Sequence, residues 1–296
     1  MTPTTTLRAL LRSARARLIT AGINANEAGL DAALLARHVL GWDLARLIAH
    51  ETDPPSEDFP PAFDRLVARR ASREPISSII GRREFRGLEF EVGPDVLAPR
   101  PETEIIIDEA VATLNGANPK GSAHTRTATP LIIDVGTGSG CLAICLAREF
   151  PSARVVATDV SPAALEVAAR NAERHSVTRR IEFVRTSLLD GVGGAAALVV
   201  SNPPYILTAD IGCLDPEVRD WEPRQALDGG PDGLDVIRAL LSAVPAALAP
   251  GGWFIMEFGF GQAASVERLV RESPLELVRI VDDLRQIPRT LLARKQ

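Results

Sequence analysis

An apolar run breaks into three alternately spaced glycines at LIIDVGTGSG (131–140), and no other feature of the chain restricts its fold as much. Glycines at 136, 138 and 140 let the backbone turn tightly and approach a ligand, and a helix starting directly after them offers unpaired N–H groups. Strand, glycine turn and helix in that order open a layered α/β fold. The chain beyond 130 agrees. Further strands are predicted at 154–158, 181–185, 197–201, 252–257, 275–281 and 289–293, with helices at about 140–149, 162–174, 233–248 and 261–272. This alternation implies a largely parallel sheet covered by helices on both faces.

The ligand class follows from what surrounds the glycines. Their spacing is G-x-G-x-G, not the G-x-G-x-x-G of dinucleotide loops, and Asp134 stands ahead of the first of them. An acid there would repel a pyrophosphate but suit the cationic end of S-adenosylmethionine. Asp159, closing VVATD, sits where an acid can accept hydrogen bonds from ribose hydroxyls, or can cap a helix entered at Ser161-Pro162. Asn202-Pro203-Pro204-Tyr205 then follows the apolar strand ALVVS. Two prolines freeze the backbone, so the Asn202 side chain and the Pro203 carbonyl can both face an NH₂ group. An amide nitrogen is a poor nucleophile because its lone pair is delocalised. Holding its two hydrogens between two acceptors orients it toward a sulfonium methyl and partly localises the pair, so catalysis is mostly orientation and needs no strong base. Tyr205, the one tyrosine of the chain, can pack on a planar target or anchor the loop.

Residues 1–75 read as a small helical bundle. Leu7, Leu10, Leu11, Ala14 and Leu18 fall at helical spacing, as do Leu30, Leu34, Leu35 and Val39. Asn24 and Asn26 are candidate N-caps of the second helix and Gly41 its end, a third short helix is expected from Asp43 to His50, and PPSEDFPP precedes a fourth near 62–72. Residues 76–98 read as a β-hairpin linker turning at Arg86-Gly87, where Leu88, Phe90 and Val92 alternate with glutamates. Residues 99–296 form the remaining domain, opened by a helix with Pro101 in its first turn and carrying an exposed loop at 115–129.

The arginines of the N-terminal segment interleave with leucines, which reads as an amphipathic helix and not as a secretory signal. The net charge of −5 gives no support for a duplex-binding face, and the ArgArg pairs at 69–70, 82–83 and 179–180 read as solvated. Cys141, Cys145 and Cys213 lack paired metal spacing; the first two read as small core residues of a protein in a reducing compartment. His38, His50, His124 and His175 are scattered, and Trp42, Trp221 and Trp253 read as core or interface residues, Trp221 also as a possible cleft wall. Glu257, closing a late strand, is either a helix-capping acid or a neighbour of the site.

Read together, these motifs resemble the HemK/PrmC family of peptide chain release factor glutamine methyltransferases. The likeness spans EPISSIIGRREFRGLEFEV (74–92), VLAPRPETE (96–104), DVGTGSG (134–140), SNPPYI (201–206), EPRQALDGGPDGL (222–234), PGGWFIMEFG (250–259) and DDLRQIPRTLLAR (282–294). It implies a class I S-adenosylmethionine-dependent methyltransferase, with a Rossmann-like seven-stranded sheet, a helical N-terminal substrate-recognition domain and the hairpin between them. The implied substrate is the glutamine of the Gly-Gly-Gln motif of class-1 release factors, methylated on its side-chain nitrogen (N5), leaving S-adenosylhomocysteine. The resemblance places Gly136, Thr137, Gly138, Ser139, Gly140, Asp159, Leu188 and Asn202 around the cofactor. It places Asn202, Pro203, Pro204 and Tyr205 at the glutamine amide, with Phe85 as a further wall of the pocket. It also implies a cytoplasmic monomer that needs no metal, no membrane and no direct nucleic-acid contact.

The chain departs from the family pattern in two places. Ser187-Leu188 stands where relatives often carry an acid and a bulky residue, leaving Ser187, Asp190 or backbone groups to meet the adenine amino group. Arg285-Gln286 replaces a more usual glycine-containing turn. Three other readings compete: glutamine methylation of a ribosomal protein, N6-adenine methylation of nucleic acid through the same tetrapeptide, and cofactor binding without turnover. The acidic balance and the lack of an inserted target-recognition domain weigh against the second.

Overall fold

In the computed structural model residues 6–116 and 129–296 are described; most of the loop expected at 115–129, His124 included, lies outside them. The chain divides into two units, Met1–Arg82 with Asp215–Trp221, and Arg83–Leu214 with Glu222–Gln296.

The first unit is helical: Leu7–Thr20, Ala25–Leu40, Leu44–Ala49, Phe59–Ala71 and Ile76–Ile80. The side chains of Thr6, Asn24 and Asp43 cap the first three by accepting from backbone N–H groups of the first turn. Asn24 is therefore the cap of the second helix, and Asn26 lies inside it. The fourth begins earlier than expected because Pro60 and Pro61 sit within its first turn, where a missing N–H costs nothing. The fifth occupies the start of the segment read as hairpin. Leu7, Leu18, Leu35, Phe59 and Phe63 form the core, the two phenylalanines stacked with ring centroids 5.1 Å apart.

Arg70 corrects the expectation of a solvated ArgArg pair at 69–70, for it is only 1% exposed. Its guanidinium donates to Asp31 at 2.6 Å, Glu217 at 2.8 Å and Glu27 at 3.0 Å. Arg73 adds a two-pronged contact to Glu217 at 2.7 and 2.6 Å. Burial pushes the Glu217 carboxyl up, but hydrogen bonds from Arg73 and Arg70 outweigh it and leave it below its ordinary range. The segment Asp215–Trp221, far along the chain, is thereby tied to the helices. Arg70→Ala would leave Asp31 buried without its cation, while the half-buried Glu217 would keep only Arg73. Breaking a buried pair this way costs about 3–5 kcal/mol, so the variant is expected to show a clearly lowered midpoint of thermal unfolding by circular dichroism.

The second unit opens with the hairpin, β1 (Arg82–Phe85) and β2 (Leu88–Glu91). Arg86 and Gly87 both take positive φ, 50° and 71°, as a two-residue hairpin turn requires. The hairpin is pinned by the buried Asn171 of helix Pro162–Arg174. Its side chain accepts from Glu91 N at 2.7 Å and donates to Glu91 O at 3.0 Å and to Ser139 O at 2.9 Å.

Seven strands form the sheet: β3 (Leu131–Val135), β4 (Arg154–Asp159), β5 (Ile181–Arg185), β6 (Ala196–Ser201), β7 (Leu248–Glu257), β8 (Leu275–Asp282) and β9 (Pro288–Lys295). Their order is β5-β4-β3-β6-β7-β9-β8, with β9 antiparallel to both neighbours. From β3 the chain runs outward to β4 on one side and returns through β6 on the other, so a crevice opens at the C-terminal ends of β3 and β6. Val135 is in register with both Thr158 and Ser201, which brings the three loops that follow to one edge. The β8–β9 turn is made without glycine: Gln286 takes φ 61°, and Asp283 accepts from the backbone N–H of Arg285 and Ile287. No helix among the described residues is long and apolar enough to cross a membrane.

Candidate active site

A cavity of about 400 Å³ lies at that edge, lined by the second unit alone. This is the size of pocket that takes a small-molecule ligand. Gly136, Thr137, Gly138 and Ser139 line it from the loop after β3, Asp159 from the end of β4, Ser187 and Leu188 from the loop after β5, and Asn202, Pro203 and Pro204 from the loop after β6.

The three glycines divide the work. Gly136 and Gly138 take φ 74° and 53°, and a Cβ on either would point into open space, the space a ligand would need. Gly140 does not line the cavity. A Cβ there would come within 3.0 Å of the Ala168 side chain, so this glycine lets the loop press against helix Pro162–Arg174. Asp134 is wholly buried beneath the loop, where one carboxylate oxygen accepts from Thr137 Oγ1 at 2.6 Å and Ala143 N at 3.1 Å. The other, Oδ1, has no hydrogen-bond partner. Burial pushes its pKa up to about 7, against the pull of those two hydrogen bonds. A buried acid without a cation beside it and open space over its glycine loop fit an S-adenosylmethionine site. Asp159 accepts from Gly138 N and Ser161 N, both at 2.9 Å, so it splints the loop and fixes Ser161, the residue that caps the next helix, while facing the cavity.

The tetrapeptide after β6 is held from several sides. Ser201 Oγ donates to Val135 O at 2.8 Å. Asn202 Nδ2 donates to Thr103 Oγ1 at 2.9 Å. Tyr205 does not line the cavity; burial first, then Glu257, pushes its phenol pKa up, and it donates to Glu257 Oε1 at 3.0 Å. Beyond it, Ile206 N donates to Leu227 O, Gly229 N to Ile206 O and Thr208 N to Gly230 O. Gln262 Nε2 reaches Tyr205 O at 2.9 Å. The stretch EPRQALDGGPDGL is thus the cradle of the tetrapeptide.

Phe85 is expected as a further wall of the pocket. It is 1% exposed in the core under the hairpin, edge-on to Phe90 with centroids 6.2 Å apart, and forms no part of the cavity wall. The resemblance that placed Phe85 at the pocket does not say whether its ring turns to the core or to the cleft. Asp190 is exposed and off the lining, whereas Ser187 and Leu188 line the cavity. Trp221 belongs to the first unit. Cys141 and Cys145 are buried, as expected of core residues, and Cys141 also touches the cavity. The sequence reading gave no role to Arg100, which lines the cavity and pairs with Glu222 at 2.6 Å, or to Thr103. Both lie in VLAPRPETE, and position in that motif was the available signal.

Family models match in two places: the PrmC N-terminal domain over residues 9–81 and the methyltransferase small domain over residues 122–211. The chain is 43% identical over 262 residues to the release factor glutamine methyltransferase of Geobacter sulfurreducens, covering 88% of this chain and 87% of that one. With the enzyme of the same name from Cereibacter sphaeroides identity is 42% over 284 residues, 96% of each chain. Among solved structures, the hMettl16 catalytic domain in complex with an RNA hairpin superposes with a TM-score of 0.54 at 18% identity, covering 78% of this chain and 81% of that one. The Thermus thermophilus 16S rRNA N2 G1207 methyltransferase gives 0.50 at 18% identity, over 73% of this chain and 50% of that one. These last two likenesses establish the class I methyltransferase fold. The relatives that match almost end to end establish more: this chain belongs to the release factor glutamine methyltransferase family.

Proposed function

We propose that the protein transfers a methyl group from S-adenosylmethionine to the side-chain amide nitrogen of the glutamine in the Gly-Gly-Gln motif of class-1 release factors. The observation that carries the reading is the side chain of Asn202 on the cavity wall with its NH₂ end spent on Thr103. Its carbonyl oxygen, and that of Pro203, are left as acceptors for a substrate amide. When bound, the sulfonium supplies a methyl group already activated for transfer. The loop at Gly136–Gly140 would hold the amino acid end, Asp159 the ribose and Leu188 the adenine side. Asn202 and Pro203 would hold the two hydrogens of the glutamine NH₂, fix its direction and leave its lone pair toward the methyl donor; as the nitrogen–methyl bond forms the sulfur–methyl bond breaks, leaving S-adenosylhomocysteine, and one of those hydrogens departs to solvent as a proton. Pro204 stiffens this arrangement, and Tyr205 anchors it through Glu257.

The acidic balance supports a protein substrate over a nucleic acid, and we read the protein as a cytoplasmic monomer using no metal. The test is transfer of labelled methyl to an unmodified class-1 release factor, beside a Gly-Gly-Ala control. Label in the first alone is the expected result. No label in either, with cofactor bound, would redirect the search to ribosomal proteins and nucleic acid. Asp159→Asn is expected to weaken S-adenosylhomocysteine binding about tenfold or more, since a hydrogen bond to a charged group contributes about 1.5–3 kcal/mol. Isothermal titration calorimetry reads this directly, and unchanged affinity would remove Asp159 from the ribose.

A further inference from the structure

A carboxylate that is 1% exposed needs a reason, and Glu257 has none in the binding contacts above. It closes β7 directly beside the tetrapeptide loop, since Ser201 and Met256 are in register. Its Oε2 accepts from Thr103 Oγ1 at 2.6 Å and its Oε1 from Tyr205 OH at 3.0 Å. Thr103, 3% exposed in the turn Pro101–Thr103, also meets Asn202 Nδ2 at 2.9 Å. The four side chains thus form one chain of hydrogen bonds, Asn202 to Thr103 to Glu257 and Tyr205 to Glu257.

We propose that Thr103 and Glu257 act as a polarity relay that fixes which end of the Asn202 carboxamide faces the substrate, and so are positioning residues for methyl transfer. The inference rests on the reading of Asn202 as acceptor for a substrate amide. Its logic is the count of hydrogens. An ionised carboxylate can only accept, so the single hydroxyl hydrogen of Thr103 goes to Glu257. The threonine oxygen then has only lone pairs to offer, so the NH₂ of Asn202 must face it. The carboxamide oxygen is left on the opposite side. Without the relay the carboxamide can turn over, and its NH₂ would meet the NH₂ of the substrate, donor against donor. Tyr205 gives its hydrogen to the same carboxylate, so both ends of the tetrapeptide are referred to one buried acceptor.

Glu257 is hydrogen-bonded to Thr103 from the turn and Tyr205 from the loop, and it feels the charges of Arg289 from β9 and Glu102 from the turn. Burial pushes its pKa up, and the two hydroxyls and Arg289 pull it down less than burial raises it. A protonated Glu257 would donate one hydrogen, to Thr103 or to Tyr205. Where it donates to Thr103, the threonine hydrogen is released toward Asn202 and the carboxamide reverses. Transfer should therefore fall as pH drops through the elevated pKa of this carboxyl. Glu257→Gln should lose that acid limb, because its amide does not titrate.

The test is a pair of substitutions at the middle of the relay. Thr103→Val keeps shape but removes the acceptor. It is expected to lower kcat about 10–100-fold, the order of cost of a misplaced catalytic contact, with the KM for release factor and the affinity for S-adenosylhomocysteine changed less than about threefold. Thr103→Ser should restore most of the rate. Equal loss in both, or full activity in Thr103→Val, would overturn the relay. A second readout needs no substrate. In ¹⁵N-labelled protein the Asn202 side-chain NH₂, assigned by its absence in Asn202→Ala, should be protected from hydrogen exchange in the wild type and not in Thr103→Val. An unprotected NH₂ in the wild type would overturn the relay even if the release factor were not the substrate. Failure of wild-type protein to label the release factor, with the NH₂ protected, would sink only the substrate reading.

Discussion

Replacing Asn202 by alanine is expected to lower methyl transfer about 10²–10³-fold, the usual cost of removing one preorganised contact at a reacting centre, and to leave most of the cofactor affinity intact. The two effects separate because the cavity is lined mainly by other residues. The glycine loop, Asp159 and Leu188 line the cavity without a hydrogen bond to the Asn202 side chain, whereas on the proposed reading Asn202 and Pro203 accept the hydrogens of the substrate nitrogen. Alanine removes the one side-chain acceptor and leaves Thr103 Oγ1 without its donor. That second loss is small in stability, since Thr103 keeps its bond to Glu257. The measurement is single-turnover methyl transfer set beside calorimetric titration with S-adenosylhomocysteine. Parallel loss in both would mean that Asn202 holds the cofactor and not the amide.

Periodicity along the chain carried the sheet and its helices, because a strand buried on both faces reads as a continuous apolar run and ends where the glycines begin. LIIDV, RVVATD and AALVVS each end at a residue or loop of the site, so the order of elements also indicated where the crevice opens. What local pattern does not carry is the partner of a side chain. Arg70 looks like its neighbour Arg69 in sequence, yet it is buried because Asp31 and Glu217, 39 and 147 residues away, converge on it. Thr103 and Glu257 are 154 residues apart, and nothing in either segment names the other. Tyr205 could be read as packing on the substrate or anchoring its loop, and its hydrogen bond to Glu257, which supports the second, is not visible in the sequence. Phe85, placed at the pocket by resemblance alone, lies in the core under the hairpin, a position that motif likeness does not reveal.

Gly233→Ala is the second large effect expected, and it acts through backbone alone. Gly233 takes φ 73°, which already strains any other residue. More decisive is the space. A Cβ there would overlap the Tyr205 carbonyl oxygen and come within 2.6 Å of Gln262 Nε2, the group that holds that carbonyl. Gly229 and Gly259 crowd the same tyrosine, with Cβ positions 2.8 Å from its Cα and 3.0 Å from its ring. Three glycines therefore leave the room in which the backbone at Tyr205 is clamped. Overpacking against backbone with added strain costs about 2–4 kcal/mol, and for a chain of this size each kcal/mol lowers Tm by about 2–4 °C. Methyl transfer should fall further than the folded fraction does, since the displaced atoms carry Asn202 and Pro203. Gly261→Ala supplies the comparison. That glycine also has a positive φ, 78°, but a Cβ on it meets nothing within 4 Å, so it isolates the strain at about 1 kcal/mol. If Gly233→Ala proved as mild as Gly261→Ala in both melting and transfer, the clamp would not be what holds the loop, and the relay through Thr103 and Glu257 would have to hold it unaided.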